Sequence, residues 1–396
     1  MTVRDQEGLP RNEEDLTPRT GLVWHERMMW HDTGSGASEL PSGGWLEPGE
    51  HSENPATKRR LKNLLDATGL TEQLLLLPPR PATVDELLRV HTPAYVDRIR
   101  ELSVGRGGDA GSEAPFGNGS FEIAQLAAGG TITAIDAVLD GTVANAYALV
   151  RPPGHHALPD LGMGFCIFAN VAVGIRHAQA TRGVGRVAVV DWDVHHGNGT
   201  QAVFWDDPSV LAISLHQDGL YPARSGLLAD TGGPTAVGTT LNVPLPAGSG
   251  TGAYLAALDQ VVAPALDAFA PELIVIACGF DAGALDPLGR MLLPAAAFGE
   301  MTGRLLAAAG RLCGGRLVAS HEGGYSAGHV PFCGLAVIET LSGRSAGIDD
   351  PFAYLAQVPG QAIEPHQQAA VDAAAALVAG VPRGQVSHVP LGTDAS

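Results

Sequence analysis

The sequence is poor in cysteine, and none of its cysteines is paired by spacing. It contains four, Cys166, Cys278, Cys313 and Cys333, and no two of them form a Cys-x-x-Cys motif. This scarcity argues against a disulfide framework and against a zinc site built from thiolates. We interpret all four as small core residues of a protein in a reducing compartment.

Basic residues are also scarce. The chain has 24 Lys and Arg against 42 Asp and Glu, which gives a formal net charge of −18. Binding to nucleic acid depends on a basic stripe that neutralises phosphates, so this composition argues against a nucleic-acid partner. An acidic surface is typical of soluble proteins, and it is also compatible with a cationic substrate.

Long apolar runs are missing as well. No run reaches the length of a membrane-spanning helix, and the acidic N-terminus lacks the apolar segment of a signal peptide. We therefore predict a cytoplasmic protein with no membrane partner. Residues 1–18 are expected to form a flexible N-terminal extension and residues 381–396 a C-terminal tail. Between them, residues 19–380 show neither an internal repeat nor a linker, which predicts one domain.

Short apolar strands that alternate with helical stretches are abundant. This alternation predicts an α/β fold in which helices cover both faces of a parallel sheet. The expected strands are Thr20–Trp24, Leu74–Leu77, Ala146–Val150, Val187–Val190, Val210–Leu215, Leu241–Val243, Leu273–Cys278 and Leu317–Ser320. Helices are expected after Asn54, Thr83 and Thr92 and at Phe121–Leu139, Phe168–Ala180, Ala253–Phe269, Ala295–Leu312 and Phe332–Leu341. Two glycine-rich segments, 31–53 and 105–119, are expected to be long loops.

One of these strands ends in a concentration of polar side chains. Asp191, Asp193 and His195 follow Val187–Val190 at alternate positions, so they point to one face, roughly 6.6 Å apart. Buried carboxylates are costly unless a cation or hydrogen bonds compensate them. We therefore predict a metal site at the carboxyl end of this strand.

Two further strand ends supply a third candidate ligand and candidates for proton transfer. Asp281 can complete a three-ligand zinc site with Asp193 and His195, leaving a position for water, whose pKa the metal lowers. The tandem His155 and His156 are candidates for proton transfer near neutral pH. This combination predicts metal-assisted hydrolysis.

Three more residues have candidate supporting roles. Asp191 and Asn198 are available to orient the imidazoles. Tyr325, preceded by two glycines, can donate a hydrogen bond to a developing oxyanion. Each feature alone has a structural explanation, such as a helix cap or a turn. Their conjunction at strand ends predicts a hydrolase that acts on an amide or ester.

At these residues the chain resembles the histone deacetylase family, specifically class II and its bacterial histone-deacetylase-like amidohydrolases. The motifs that carry the resemblance are Arg-Pro-Pro-Gly-His-His-Ala at 151–157, Gly-Met-Gly-Phe-Cys at 162–166, Asp-Trp-Asp-Val-His-His-Gly-Asn-Gly-Thr-Gln at 191–201, Ser-Leu-His-Gln at 214–217, Asn-Val-Pro-Leu at 242–245, Gly-Phe-Asp at 279–281, Asp-Pro-Leu at 286–288 and Glu-Gly-Gly-Tyr at 322–325. The resemblance implies the arginase–deacetylase fold, a central parallel sheet of about eight strands flanked by helices. It makes residues 19–380 a deacetylase catalytic domain.

The resemblance also implies a role for each site residue. Zinc, one ion per chain, would be held by Asp193, His195 and Asp281. The catalytic residues would be His156 as general base, His155 with Asp191 as electrostatic support, and Tyr325 as the donor to the acetyl carbonyl. The substrate would contact Gly164, Phe165, Tyr221, Leu288 and Gly324. One or two structural potassium ions would bind, the first at Asp191, Asp193, His195, Ser214 and Leu215, the second around Phe204, Asp207 and Val210.

Three positions narrow the expected activity to deacetylation of acetyl-lysine with release of acetate. Asn198 stands where class I members have aspartate, which favours class II. Tyr325 is present, as in the members that are active on acetyl-lysine. Leu288 stands where members specialised for acetylated polyamines have a glutamate, so an acetylated lysine of a peptide or protein is the expected partner.

Other hypotheses stay open. One is an amidohydrolase for acetylpolyamines or other small acylated amines. A second is a ureohydrolase-like enzyme with two metal ions, although the next acid after Asp281 is Asp286, followed by Pro287, and no Asp-x-Asp occurs there. A third is a non-enzymatic binder of acetylated or metal ligands. A homo-oligomer is equally open.

Overall fold

A sheet of eight parallel strands forms the centre of the protein, in a computed structural model that describes residues 19–385. In chain order the strands are β1 Thr20–Val23, β2 Leu75–Leu77, β3 Asn145–Ala148, β4 Val187–Asp191, β5 Val210–Gln217, β6 Thr240–Leu245, β7 Leu273–Cys278 and β8 Leu317–His321. Every pairing between them is parallel. The predicted fold class is confirmed, and each predicted strand is present with ends shifted by up to two residues.

The order of the strands brings the polar strand ends together. It runs β6-β5-β4-β7-β8-β3-β1-β2. The strands followed by candidate site residues, β3, β4, β7 and β8, are therefore consecutive neighbours, and their carboxyl ends form one continuous edge. Ligands of parallel α/β sheets bind beyond this edge.

The inner strands are apolar on both faces because both faces are covered. Every residue of β4, β7 and β8 is buried. β-Branched residues such as Val189, Ile274 and Val275 pack well on a pleated surface, which is why these segments form strands. Sheets buried on both sides have continuous apolar strands instead of alternating ones.

Helices connect the strands. They are α1 Ala56–Ala67, α2 Val84–Leu87, α3 Pro93–Val104, α4 Ser120–Leu139, α5 Asn170–Arg182, α6 Asn198–Phe204, α7 Thr251–Ala257, α8 Ala263–Phe269, α9 Ala295–Cys313, α10 Val330–Ser342 and α11 Pro365–Ala375. A π-helical turn, Leu258–Val262, joins α7 to α8, and 3₁₀ helices lie at Glu26–Trp30, Leu70–Gln73, Ala353–Gln357 and Ala376–Gly380. Helices α6 and α11 were not predicted from the sequence; α6 lies in a glycine-containing motif of low helix propensity.

Local capping explains where several helices begin. The hydroxyl of Thr83 accepts a hydrogen bond from the backbone N–H of Glu86, and the carboxylate of Glu86 accepts one from the N–H of Thr83. These two bonds form the predicted capping box. Thr92 caps α3 through the N–H of Tyr95 at 3.3 Å. Asn54 accepts the N–H of Ala56 at 2.9 Å, so α1 begins one residue later than expected.

The two glycine-rich segments contain more order than a loop. In residues 31–53, the strand Ser35–Ala37 pairs antiparallel with both Leu40–Pro41 and Gly49–Glu50. In residues 105–119, Gly108–Asp109 pairs with Pro115–Phe116. These pairings give both segments a defined shape at the edge of the site.

Two sequence predictions concern the ends and surface of the fold. The described chain still packs beyond residue 380, since Val381 is buried and the N–H of Gly384 donates to Ala268. The predicted extension at 1–18 and residues 386–396 of the tail lie outside the described residues.

Helix α4 is long and apolar enough to cross a membrane, but it is mostly buried against α5, β1 and β3, as core helices are.

Candidate active site and metal centre

Three buried side chains converge beyond the ends of β4 and β7. Asp193, His195 and Asp281 present ligand atoms that all lie within 4.8 Å of one another. The Nδ1 atom of His195 is 3.0 Å from Oδ1 of Asp193 and 3.1 Å from Oδ2 of Asp281. Ligand atoms of a tetrahedral zinc site lie roughly 3.3 Å apart, so this spacing fits the predicted metal.

The electrostatics of these ligands also fit a divalent cation. Burial and the nearby Asp193 raise the pKa of Asp281 to about 7. Although burial opposes it, the charges of His155 and His195 lower the pKa of Asp193. Two buried carboxylates this close repel each other unless a cation stands between them. The donor set of two carboxylates and one imidazole suits zinc.

Tandem histidines lie beside this cluster with different partners. The imidazole of His155 donates from Nδ1 to Asp191 at 2.9 Å, and His156 donates from Nδ1 to Asn198 Oδ1 at 2.6 Å. Their ring centroids are 4.0 Å apart.

The surroundings of the two rings shift their pKa values in opposite directions. Against the effect of burial, Asp193 and Asp191 raise the pKa of His155 well above its usual value. Burial and the neighbouring His155 lower the pKa of His156 well below its usual value. His156 is thus a neutral imidazole that can accept a proton, whereas His155 stays charged. Pairs of titratable groups with opposed pKa values are typical of acid–base sites.

Tyr325 completes the arrangement from the segment after β8. Its backbone N–H donates to Asp286 at 2.6 Å. A side chain at Gly323 would bring a Cβ within 2.2 Å of Asp281, so only glycine lets this segment approach the metal ligands. Burial and the charges of Asp281 and Asp193 raise the pKa of the Tyr325 phenol well above its usual value, and it remains a hydrogen-bond donor.

These groups face a cavity of about 230 Å³. It is lined by Glu39, Glu113, His156, Gly164, Phe165, His195, Leu220, Tyr221, Leu288 and Tyr325. The ring of Phe165 meets Tyr325 edge-on, with centroids 5.7 Å apart. Gly164 has a left-handed φ of 51° and a Cβ there would lie 2.4 Å from the ring of His156, so the wall of the cavity requires glycine.

Several of the predicted potassium ligands lie near one another. The pairing of β4 with β5 sets Asp191 beside Ser214, and a void of about 10 Å³ lies between these strands and Gly197. The second set forms the turn after α6, where the N–H of Asp207 donates to Phe204 at 3.0 Å and the N–H of Val210 to Asp207 at 3.4 Å.

Comparison with known proteins identifies the family. Residues 51–341 match the histone deacetylase domain. The chain belongs to the histone deacetylase family. It is 54% identical over 339 residues to the histone deacetylase-like amidohydrolase of Pseudomonas aeruginosa, a match that covers 85% of this chain and 89% of the relative. It is 37% identical to a probable deacetylase of Archaeoglobus fulgidus, over 86% of this chain and 91% of the relative.

Other members of the family agree with this assignment. The human polyamine deacetylase HDAC10 is 37% identical, over 83% of this chain and 48% of its own length. The crystal structure of the HDA15 HD domain superposes with a TM-score of 0.79 at 33% identity, covering 91% of this chain and 96% of that domain. The predicted arginase–deacetylase fold is confirmed, and this deacetylase-family chain is a hydrolase of amide bonds.

Several residues of this family member's site were not predicted from the sequence. Glu322 and Asp286 stand inside motifs noted in the sequence, yet neither received a role. Burial raises the pKa of Glu322 to about 7 and that of Asp286 to about 6. Glu39 and Glu113 line the cavity from the two glycine-rich segments, and no motif marks them.

A second set of candidate metal ligands has other partners. His155, Cys166 and Glu322 also lie within 4.8 Å of one another. The Nδ1 atom of His155 is engaged by Asp191, and the thiol of Cys166 donates to the carbonyl of Gly164. Burial also raises the pKa of the Cys166 thiol well above its usual value, so this set does not supply a thiolate, and Asp193, His195 and Asp281 are the better metal site.

Proposed function

We propose that the chain is a zinc-dependent deacetylase of class II, which hydrolyses the amide of acetylated lysine side chains and releases acetate. One observation carries this proposal: His156 and Tyr325 line the same cavity as His195, which belongs to the ligand cluster of Asp193, His195 and Asp281. A protein that only binds its ligand has no use for a neutral imidazole and a phenol beside a metal.

The residues of the chain divide the reaction between them. Zinc, when bound, supplies a Lewis acid that polarises the carbonyl and lowers the pKa of water. Because Nδ1 of His156 donates to Asn198, its Nε2 is unprotonated and can take a proton from the attacking water. The same atom then returns the proton to the leaving amine. The hydroxyl of Tyr325 donates a hydrogen bond to the carbonyl oxygen as negative charge develops there.

His155 supports the step without exchanging its own proton. Its charge, stabilised by Asp191 at 2.9 Å, lowers the proton affinity of His156 before the reaction and favours the developing oxyanion. Asn198 holds His156 without adding a negative charge, which keeps that imidazole neutral.

The walls of the cavity suit an aliphatic amine. Phe165, Tyr221 and Leu288 present apolar surface on the path to the metal ligands. An acetylated lysine stem of four methylenes matches such walls, and Leu288 brings no charge that would select a remote ammonium.

A second candidate is an acylated amine that carries another positive charge, such as an acetylpolyamine. Within the part of the chain that the structure describes, the residues that line the cavity include Glu39 and Glu113 and no Lys or Arg. Two carboxylates at a cavity wall favour cationic substrates by electrostatic attraction. The relationship to a polyamine deacetylase gives this candidate further support.

A two-metal ureohydrolase activity has less support. It would need an additional carboxylate ligand near Asp281, and the next acid is Asp286. The carboxylate of Asp286 accepts the N–H groups of Leu288, Tyr325 and Ser326, so it is already occupied.

We also propose structural potassium at the two predicted sites and a cytoplasmic location, and leave a homo-oligomer open.

Purified protein assayed with an acetyl-lysine peptide and with acetylputrescine tests these proposals. Activity should disappear on complete removal of metal by a chelator and return with one equivalent of zinc. Metal analysis should find one zinc per chain; two manganese ions per chain would support the ureohydrolase hypothesis instead. A kcat/KM at least about tenfold higher for acetylputrescine would select the second candidate. Turnover that survives removal of all metal contradicts the proposal.

A further inference from the structure

Glu322 is a buried carboxyl group to which the proposed reaction assigns no step. Its side chain is 0% exposed, and within residues 19–385 no Lys or Arg pairs with it. Because burial raises its pKa to about 7, its charge is partly lost near neutral pH. The role of Glu322 therefore depends on the hydrogen bonds that its carboxyl group accepts.

Those hydrogen bonds hold the turn that carries the tandem histidines. Oε2 of Glu322 accepts the N–H of Gly154 at 2.6 Å and the N–H of His155 at 3.1 Å. On the other side of the residue, the carbonyl of His155 accepts the N–H groups of Gly199 at 3.0 Å and Thr200 at 3.2 Å. The backbone of His155 is thus held from the end of β8 and from the start of α6.

The same segment after β8 also reaches the metal ligands and the phenol. The N–H of Gly323 donates to Asp193 Oδ2 at 2.8 Å, and the carbonyl of Gly323 accepts the N–H of Phe280 at 3.0 Å. Tyr325 follows two residues later. One short stretch of backbone therefore connects the histidine turn, a predicted zinc ligand and the predicted oxyanion donor.

We propose that Glu322 is a positioning residue that sets the histidine turn at its working distance from Asp193 and Tyr325. The inference rests on the proposed function, because it gives His156 the role of base. Groups that are misplaced by about 1 Å lose on the order of 100-fold in rate. The two acceptor contacts, rather than the charge, do this positioning, so an amide oxygen can replace the carboxylate.

Three variants test this: Glu322→Gln, which keeps an acceptor oxygen, Glu322→Ala, which removes it, and Glu272→Ala as a matched control. Glu272 also accepts two consecutive N–H groups, of Gly185 at 3.1 Å and Arg186 at 3.3 Å, but it precedes β7 at the opposite edge of the sheet. We expect Glu322→Ala to lower kcat at least about 30-fold with KM changed less than about threefold. Zinc content should stay at the wild-type value, and Glu322→Gln and Glu272→Ala should keep kcat within about threefold.

Two outcomes overturn the inference. One is a folded Glu322→Ala protein with wild-type kcat. The other is a Glu322→Gln protein as inactive as Glu322→Ala, which would mean that the charge matters and the acceptor geometry does not. If Glu322→Ala does not fold, Glu322→Met takes its place, since it fills a similar volume without an oxygen. A wild-type protein that deacetylates nothing refutes the proposed function instead, so the two failures are distinguishable.

Discussion

Two buried acidic clusters of this protein differ in where their positive charge comes from. In the first, the paired cluster, Glu53 contacts Arg151 at 2.8 Å and Lys58 at 3.3 Å, and all three side chains are almost completely buried. In the second, the ligand cluster, Asp193 and Asp281 share the imidazole of His195, and Asp193 also lies 3.8 Å from the imidazole of His155. The chain neutralises the first cluster with Arg and Lys, whereas among the described residues the second pairs only with histidines, which fits the proposed zinc site.

The pKa values follow this difference. Although burial opposes it, the charges of Arg151 and Lys58 lower the pKa of Glu53 to about 2. Burial and Asp193 raise the pKa of Asp281 to about 7. A buried carboxylate whose neighbours do not neutralise it, such as Asp281, is therefore the stronger indication of a functional site.

Breaking the ligand cluster should have the largest effect on activity. Asp281→Asn keeps an oxygen for the N–H of Val194 but removes the charge of a proposed zinc ligand. We expect loss of stoichiometric zinc and a fall in kcat/KM of at least about 1,000-fold. Because the substitution also relieves repulsion with Asp193, the zinc-free variant should unfold at or above the midpoint of zinc-free wild type. Calorimetry and metal analysis check both statements; a variant that keeps its zinc contradicts the assignment.

Breaking the paired cluster should act on stability instead. Glu53→Gln leaves Arg151 and Lys58 buried without a carboxylate, which typically costs about 3–5 kcal/mol. We expect this loss in the free energy of unfolding, measured by urea titration. Protein that remains folded should still bind one zinc. A small change in stability, below about 1 kcal/mol, would mean that the pair is not needed for folding.

The contributions of the two clusters to the free energy of unfolding should depend on pH in opposite directions. The stabilising effect of Glu53, whose pKa is lowered from 4.5 to about 2, is present above pH 4.5 and is lost as the pH falls towards 2, on the order of 3 kcal/mol. Asp281, whose pKa is raised to about 7, acts in the opposite direction: its contribution is present below pH 3.8 and is lost as the pH rises through 7. The contribution of Asp281, obtained as the difference in stability between zinc-free wild type and zinc-free Asp281→Asn, should therefore be most favourable at mildly acidic pH. Urea titrations of both proteins from pH 3 to 8 measure this, and a difference that grows steadily in favour of wild type from pH 5 to 8 would contradict it.

Substitution of His156 or Tyr325, which lie beside the ligand cluster, leaves both clusters intact and should have the smallest of these effects. His156→Ala and Tyr325→Phe should each lower kcat about 100-fold, as loss of a general base or an oxyanion donor usually does. Zinc content and the unfolding midpoint should stay near wild type. Single-turnover assays on acetylated peptide measure the chemical step, and unchanged turnover would remove both residues from the mechanism.

Much of the fold was predictable because local pattern and tertiary environment agree. The strand Val187–Val190 is apolar at every position, as a strand buried on both faces must be, and β4 contains it. The alternation of Asp191, Asp193 and His195 was interpreted as a continuation of this strand, but β4 ends at Asp191, and Asp193 and His195 lie in the segment that follows it. Helix α6 was missed because tertiary contacts, such as those of its Gly199 and Thr200 N–H groups with His155, outweigh its weak helix propensity.

The sequence alone determined every strand of the central sheet, most of the helices and the residue types that the chemistry needs, since apolar periodicity and motif spacing are local properties of the chain. Only the tertiary structure decided which groups neutralise one another. Glu53 and Arg151 are paired across 98 positions, and Glu322 holds Gly154 across 168. Contacts this distant leave no periodic signal. They depend on the strand order that sets β3, β8, β7 and β4 side by side.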